Sequence, residues 1–423
     1  MNKIIGWFGI AAVCFVPAVL AVPASFEAED IYRDLQDRIF QVQVIDKASD
    51  KKMSIGTGFR VSADGLIATN YHVVAAYLHD PEQYRVEYLA YDGSSGIVTV
   101  RDIDVIHDLA VVQAADLPGS AYLEIKANSL AKGTRMFAIG NPHDLGMVII
   151  PGTYNGLLEK SLYEKILFSG ALNPGMSGGP AINRKGEVIG INVSTAGNEL
   201  SFLVPVRYLS ALLDEIKQSS GQDINLTERI TRQLLASQQQ TMEKLLKEKW
   251  KTMQLGKAQV PAELANYFKC WGQTDNKLEQ LYSHTYSACS SPDSIYISDH
   301  FETGSIDFRY DMLSTDKLNT LQFYNLYTER FAEGSSTNLA DEEDVDNFRC
   351  NTRFVDITGK TWKAAICTRA YKNFAGLYDL TLNMASLGET HTGLLVAMTA
   401  SGFTKENAMA LVQKFMGSLS WRN

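Results

Sequence analysis

Apolar and polar positions change their rhythm twice along this chain of 423 residues. From about residue 41 to Pro205 the period is two. Short segments such as "FQVQVID", "GTGFRVS", "QYRVEYLAY", "GIVTVRDID", "RMFAIG", "EVIGINV" and "SFLVPV" alternate, with turn signals such as "ADG" (63–65) and "RKG" (184–186) between them. Such alternation gives a strand one face for a core and one for water, and Gly, Asn and Asp between segments join hairpin arms. Many short strands in series predict an all-β barrel or sandwich. A helix precedes them ("AEDIYRDLQDRI"). Another follows from Pro205 ("PVRYLSALLDEIKQ"), with proline near its first turn.

After "SSGQD" (219–223) the rhythm becomes helical. "NLTERITRQLLASQQQTMEKLLKEKWKTM" holds no Gly or Pro and spaces Leu226, Ile230, Leu234, Leu235, Met242, Leu245, Leu246, Trp250 and Met253 along one face. This predicts a long amphipathic helix. A spacer, a helix packed on either neighbouring domain and an oligomerisation seam all stay open. Pro261 then opens a third region, 262–423, which reads as α+β and rich in Tyr and Phe. It carries a weak internal repeat: "YFKC" runs to Cys289 and then to strand-like and helix-like segments, and "NFRC" runs to Cys367 and then to similar ones. The division is therefore a leader over 1–24, a β-barrel domain over 28–218, a helical linker over 219–261 and an α+β domain over 262–423. A length of 423 residues fits two or three cores.

Charge and cysteines narrow the class. The formal net charge is -9 and no long stripe of Lys and Arg occurs, which argues against nucleic acid as a partner. At the N-terminus, Lys3 precedes the apolar run "IIGWFGIAAVCFVPAVLAV", and "VPA" (22–24) has the small residues of a cleavage site. A signal peptide cleaved after Ala24 or Ala21 is the expected reading. The alternative is an uncleaved membrane anchor facing the periplasm, since the run is just long enough to span a bilayer. Either way the protein is exported, to the periplasm or beyond. With Cys14 set aside, Cys270, Cys289, Cys350 and Cys367 remain, an even number suited to two disulfides in an oxidising compartment. Three connectivities are possible, and local pairing, Cys270–Cys289 and Cys350–Cys367, is the expected one. A zinc site would call for closer Cys pairs. No metal-binding motif is present, and no metal or other cofactor is expected.

The candidate chemistry centres on "NPGMSGGPAIN" (173–183). Read as G-x-S-x-G, it would be the nucleophile elbow of an α/β-hydrolase, which needs a helix after the serine. Here Pro180 and a hairpin signal at "RKG" follow instead, so that reading fails. A barrel protease requires a histidine and then a carboxylate upstream. "GLIATNYHVV" places His72 at the end of an apolar strand, and "DVIHDLAVVQ" places Asp108 immediately before another. The order His72, Asp108, Ser177 is that of chymotrypsin-like enzymes. Ser177 would attack a carbonyl, His72 would carry its proton, Asp108 would hold the imidazole, and the backbone N–H groups of Gly175 and Ser177 would face the oxyanion.

"GTGFRVSADGLIATNYHVV", "HDLAVVQ", "FAIGNPHDLG", "ALNPGMSGGPAINRKGEVIGIN" and "FLVPV" together resemble, segment by segment, the protease domain of the Deg/HtrA family of exported serine proteases. The resemblance covers roughly residues 28–218. It implies an all-β double barrel of chymotrypsin type, cofactor-free acyl-enzyme chemistry on protein or peptide substrates, and assembly as a trimer. By alignment with the family, Leu172, Ser194 and Thr195 would line the pocket for the P1 residue, which would then accept small or medium uncharged side chains. Departures are visible too. Met176 stands where the family carries a polar residue, so the oxyanion loop is set differently or by a partner. His143 stands where the family often has an aromatic. The loop between "INVST" and "LSFLVPV" is short. "TGLLVAMT" (392–399) resembles the peptide-binding loop of a PDZ domain, but too little chain follows to complete that fold. The function expected is an exported serine endopeptidase acting on proteins, unfolded ones among them. The alternative is a chaperone-like or binding protein whose protease domain is latent or a scaffold, governed by a ligand or protein at the C-terminal domain.

Overall fold

The alternating segments close on themselves twice. A computed structural model describes residues 26–127, 130–219, 225–275, 280–333 and 340–422. The apolar leader read at residues 1–24, with Lys3, Cys14 and the "VPA" motif, lies outside the described residues. After helix α1 (Phe26–Leu35), the first barrel comprises β1 (Ile39–Asp46), β2 (Lys51–Arg60), β3 (Leu66–Thr69), β4 (Tyr84–Leu89), β5 (Ser95–Asp104) and β6 (Leu109–Ala114). Helix α2 (Tyr71–His79) interrupts them. The second barrel comprises β7 (Arg135–Gly140), β8 (Val148–Leu157), β9 (Ile166–Ser169), β10 (Pro180–Ile182), β11 (Val188–Gly197) and β12 (Leu200–Pro205), capped by α3 (Val206–Gln218). Strands run in the orders β1-β2-β3-β6-β5-β4 and β10-β11-β12-β9-β8-β7, both closed.

Helix α4 (Leu226–Lys247) follows, shorter than its apolar pattern suggests. It stops at Lys247, and the run to Met253 leaves the helix: Trp250 turns back so that its indole N–H donates to Leu245 O at 3.0 Å. Strands β13 (Thr252–Leu255) and β14 (Ala258–Pro261) then form a hairpin. The remaining elements are β15 (Lys269–Asp275), β16 (Ser283–Ser290), β17 (Ile295–Ser298), β18 (Phe301–Thr303), β19 (Ile306–Ser314), α5 (Thr320–Glu333), β20 (Arg349–Ile357), β21 (Lys360–Ala370), β22 (Tyr378–Ser386), β23 (Thr392–Phe403), α6 (Lys405–Gly417) and β24 (Ser420–Trp421). Seven strands make one antiparallel sheet, β15-β16-β19-β23-β22-β21-β20, and β24 pairs with β14.

On each flank of β23 lies a three-strand meander whose outer hairpin is closed by a disulfide. Cys270 opposes Cys289 across β15 and β16, and Cys350 opposes Cys367 across β20 and β21. The segment "TGLLVAMT" is the middle of this sheet, with β19 and β22 hydrogen-bonded on either side. It has no open edge at which a peptide strand could add.

The C-terminal part shares a core with the first barrel. Tyr71 and Val74 of α2, Ile230 and Leu234 of α4, and Ile297 and Phe301 of the β17–β18 hairpin belong to one buried cluster. Burying apolar side chains jointly removes water from both partners, which ties the two parts together as one folding unit holds its own layers. Helix α4 adds polar clamps. Arg229 donates to both carboxylate oxygens of buried Asp102 on β5, at 3.0 and 3.2 Å. Gln233 donates to Ile103 O at 2.7 Å and accepts from Val105 N at 2.9 Å.

Candidate active site

His72 is the second residue of α2, and Asn70 is the N-cap. Both reach toward Asp108, the last residue before β6. Asp108 has φ 55, in the left-handed region, where a short polar side chain is better tolerated than a branched one. In that conformation its carboxylate turns back on α2. The His72 backbone N–H donates to Oδ1 at 2.9 Å, and His72 Nδ1–H donates to Oδ2 at 2.6 Å. Asn70 Nδ2 donates to Asp108 O at 2.7 Å, fixing the turn from the other side. The imidazole thus has one orientation and one tautomer, with Nε2 left as the base. Burial works against the imidazolium, but Asp108, and more weakly Asp299, more than offset it, so the His72 pKa lies above its ordinary value of 6.5.

Ser177 comes from the loop between β9 and β10, and hydrogen bonds on several sides hold that loop. Ser177 O accepts from Thr57 N at 2.8 Å, Gly175 O from Thr57 Oγ1 at 2.7 Å, Pro174 O from His143 N at 2.8 Å, and Asn173 O from Met176 N at 3.0 Å. Gly175 has φ 94, and a Cβ there would stand 2.3 Å from Asn141 O. Only glycine fits. Among the described residues no acceptor is paired with the N–H groups of Gly175 or Ser177. Two amides free to donate, on either side of Met176, are what a developing oxyanion requires.

The Ser177 hydroxyl donates to Val193 O, at a long 3.4 Å, and no hydrogen bond to His72 is formed. Both side chains nevertheless line one cavity of about 340 Å³, with Leu172, Gly175, Ser194 and Thr195. The structure thus places His72, Leu172, Gly175, Ser177, Ser194 and Thr195 around one space, with Asp108 bonded to His72 from behind. No Asp, Glu, Lys or Arg lines it.

Residues 56–191 match the family described as a trypsin-like peptidase domain. The chain is 33% identical over 184 residues to "Probable periplasmic serine endoprotease DegP-like" of Chlamydia pneumoniae, covering 40% of this chain and 36% of that protein. It is 32% identical over 210 residues to "Serine protease HTRA1A" of Danio rerio, covering 45% of this chain and 42% of that one. The barrel region of this chain is thus similar to the Deg/HtrA family of trypsin-like serine proteases. The chain spans well under two thirds of the length of these curated relatives. A solved serine endoprotease from Yersinia pestis aligns with a TM-score of 0.41 and 22% identity, over 47% of this chain and 69% of that chain, a likeness too loose to carry an argument.

The departures from the Deg/HtrA pattern now have places. Met176 is fully buried, packed in the second barrel with Met136, Phe168 and Leu172. Gly140 makes room for it, since a Cβ at Gly140 would meet Met176 Cα at 2.8 Å. The side chain next to the nucleophile is therefore an apolar anchor, and the loop needs no polar residue at that position to hold it. His143 has φ 52 and engages the loop through its backbone N–H. The short loop is a tight turn at Asn198 and Glu199, both at positive φ, joining β11 to β12.

Sequence reasoning missed the contribution of the C-terminal domain to this Deg/HtrA-type site. The β17–β18 hairpin lies against α2: the Tyr71 hydroxyl and His79 Nε2 both donate to Ile297 O, at 3.0 and 2.9 Å. This holds Tyr296 edge-on to His72, with ring centroids 6.0 Å apart. Its hydroxyl donates to Asp299 at 2.7 Å. Just before the hairpin, the buried carboxylate of Asp293 accepts from Lys165 Nζ, Ser161 Oγ and Leu162 N of the second barrel, at 2.8, 2.8 and 2.7 Å. The signal was in "PDSIYISDH" (292–300), which alternates as a strand between turn residues. Nothing local says which surface such a hairpin covers.

Proposed function

We propose that this protein is an exported serine endopeptidase that hydrolyses peptide bonds in protein substrates, unfolded chains among them, through an acyl-enzyme intermediate. Ser177 Oγ attacks the scissile carbonyl after a rotation about its Cα–Cβ bond that brings it from Val193 O to His72 Nε2. His72 takes the proton and returns it to the leaving amine. Asp108 holds the ring and stabilises its cation, and the amides of Gly175 and Ser177 receive the oxyanion, each worth about 3–4 kcal/mol in the transition state. The observation that carries this reading is the convergence on one cavity of a doubly held His72–Asp108 pair, the serine and two unpaired amides. The uncharged lining favours small or medium uncharged P1 residues, with Leu172, Ser194 and Thr195 as walls. Relatives described as periplasmic DegP-like support export.

The hydroxyl turned to Val193 O favours a second reading, a domain latent at rest that a ligand or protein engages through the C-terminal part. One assay separates the two. Purified protein is incubated with an unfolded protein, and cleavage is followed beside Ser177→Ala. Cleavage by the wild type and a fall of at least about 10³-fold in the variant is the expected outcome. No cleavage by either, while the unfolded protein is bound and kept from aggregating, establishes the scaffold reading instead.

A further inference from the structure

The cavity holding Ser177 is not the whole groove. A second cavity of about 120 Å³ adjoins it and shares Val193 and Ser194 as lining. Its other walls come from two domains: Val105 to Asp108 and Glu164 to Lys165 from the barrels, and Ser294 to Tyr296 from the C-terminal hairpin. A polypeptide laid antiparallel along the exposed part of β11 would put successive side chains on alternate sides. With P1 in the first cavity, the preceding residue would fall beyond Val193 and Ser194, toward the second cavity that Tyr296 lines.

We infer that Tyr296, carried on the C-terminal domain, forms a wall of the subsite for the substrate residue preceding P1, so that this domain helps select the substrate. The inference rests on the peptidase reading above. Three observations support the placement. Tyr296 is edge-on to His72, which lines the first cavity. Its hairpin is fixed and not loosely apposed, because Ile297 is fully buried and its carbonyl accepts two hydrogen bonds from α2. The Asp293 carboxylate, only 5% exposed, binds three donors from the loop between β8 and β9, holding the opposite wall in register. Val105, Ile106, Ile295 and the Tyr296 ring make the space mainly apolar, and its volume suits a side chain of valine or leucine size.

The test uses the full mature chain and peptide pairs identical except at P2, leucine in one and glycine in the other. The readout is the ratio of kcat/KM values, since loss of folded enzyme lowers both rates alike and leaves the ratio unchanged. The wild type is expected to favour P2 leucine by about tenfold or more. Tyr296→Ala should bring the ratio to within about threefold of unity, whereas Tyr296→Phe, which keeps the ring and loses only the bond to Asp299, should retain it. A ratio in Tyr296→Ala equal to that of the wild type overturns the inference while leaving the peptidase reading intact. A wild type that hydrolyses no peptide and takes no serine-directed label removes both together.

Discussion

At the scale of single residues, the chemistry was legible because it sits in local contexts. A histidine after an apolar strand, an aspartate before one, and a serine among glycines each carry a signature within ten residues; in the structure His72 and Ser177 line one cavity, and Asp108 holds His72. What could not be read is how the serine rests and what sits on the histidine. The rotation of Ser177 toward Val193 O depends on a carbonyl 16 residues away, and Tyr296 meets His72 from another domain. Met176 was legible as an oddity only; its burial depends on the gap left by Gly140. The charge on His72 yields a prediction. Catalysis by this residue needs the neutral ring, and its pKa is raised, so kcat/KM should climb through an acid limb centred above 6.5. Asp299 is one of the carboxylates that raise it. Asp299→Asn keeps an acceptor for Tyr296 and removes the charge, so the limb should move to lower pH in a pH–rate profile; a shift to higher pH would contradict the electrostatic assignment.

Among elements, those with a strict period were the readable ones. Barrel segments alternate in sequence, although β1, β3 and β6 are buried on both faces, Gln41 and Gln43 included; α4 shows its apolar stripe, and the cysteines stand opposite one another on neighbouring strands. Element ends and partners were not. The stripe of α4 continues past its end because Trp250 is buried for another reason, against α6, where its ring meets Phe415. Nor does an amphipathic pattern name the surface it covers: Ile230 and Leu234 go to the first barrel, Met242 and Leu245 to the C-terminal core. The decisive contacts are polar and long-range. Arg229 satisfies Asp102, whose burial pushes its pKa up while Arg229 pulls it down. Arg229→Ala strands that carboxylate and should cost about 3–5 kcal/mol in denaturant unfolding at neutral pH. Without its partner the Asp102 pKa rises further, and a carboxylate with a raised folded pKa loses stability as pH rises through it. The deficit should therefore be smaller at pH 5 than at pH 8. A deficit independent of pH, or under 1 kcal/mol, would mean that the pair does not hold α4 on the barrel.

For the whole molecule, the sequence pattern suggests beads on a string, whereas the structure interleaves them. A helix whose role the sequence left open, as spacer, packed helix or oligomerisation seam, is packed on both domains, and a hairpin of the second domain reaches the histidine of the first. The hairpin contacts join residues more than 200 positions apart and those of α4 more than 100, and no periodicity within either segment encodes them. The arrangement gives the C-terminal domain a physical route to the site, through Tyr296 and Asp293. It also means that deleting residues 219–423 would uncover Tyr71 and Val74 as well as remove a domain. All of this depends on Ser177 being the nucleophile. Labelling of the full chain with a fluorophosphonate, followed by mass spectrometry of the modified peptide, tests that claim most directly. One adduct is predicted, on Ser177, and it is absent in Ser177→Ala. A wild type that stays unlabelled with and without unfolded protein, or an adduct on another residue, would contradict that claim.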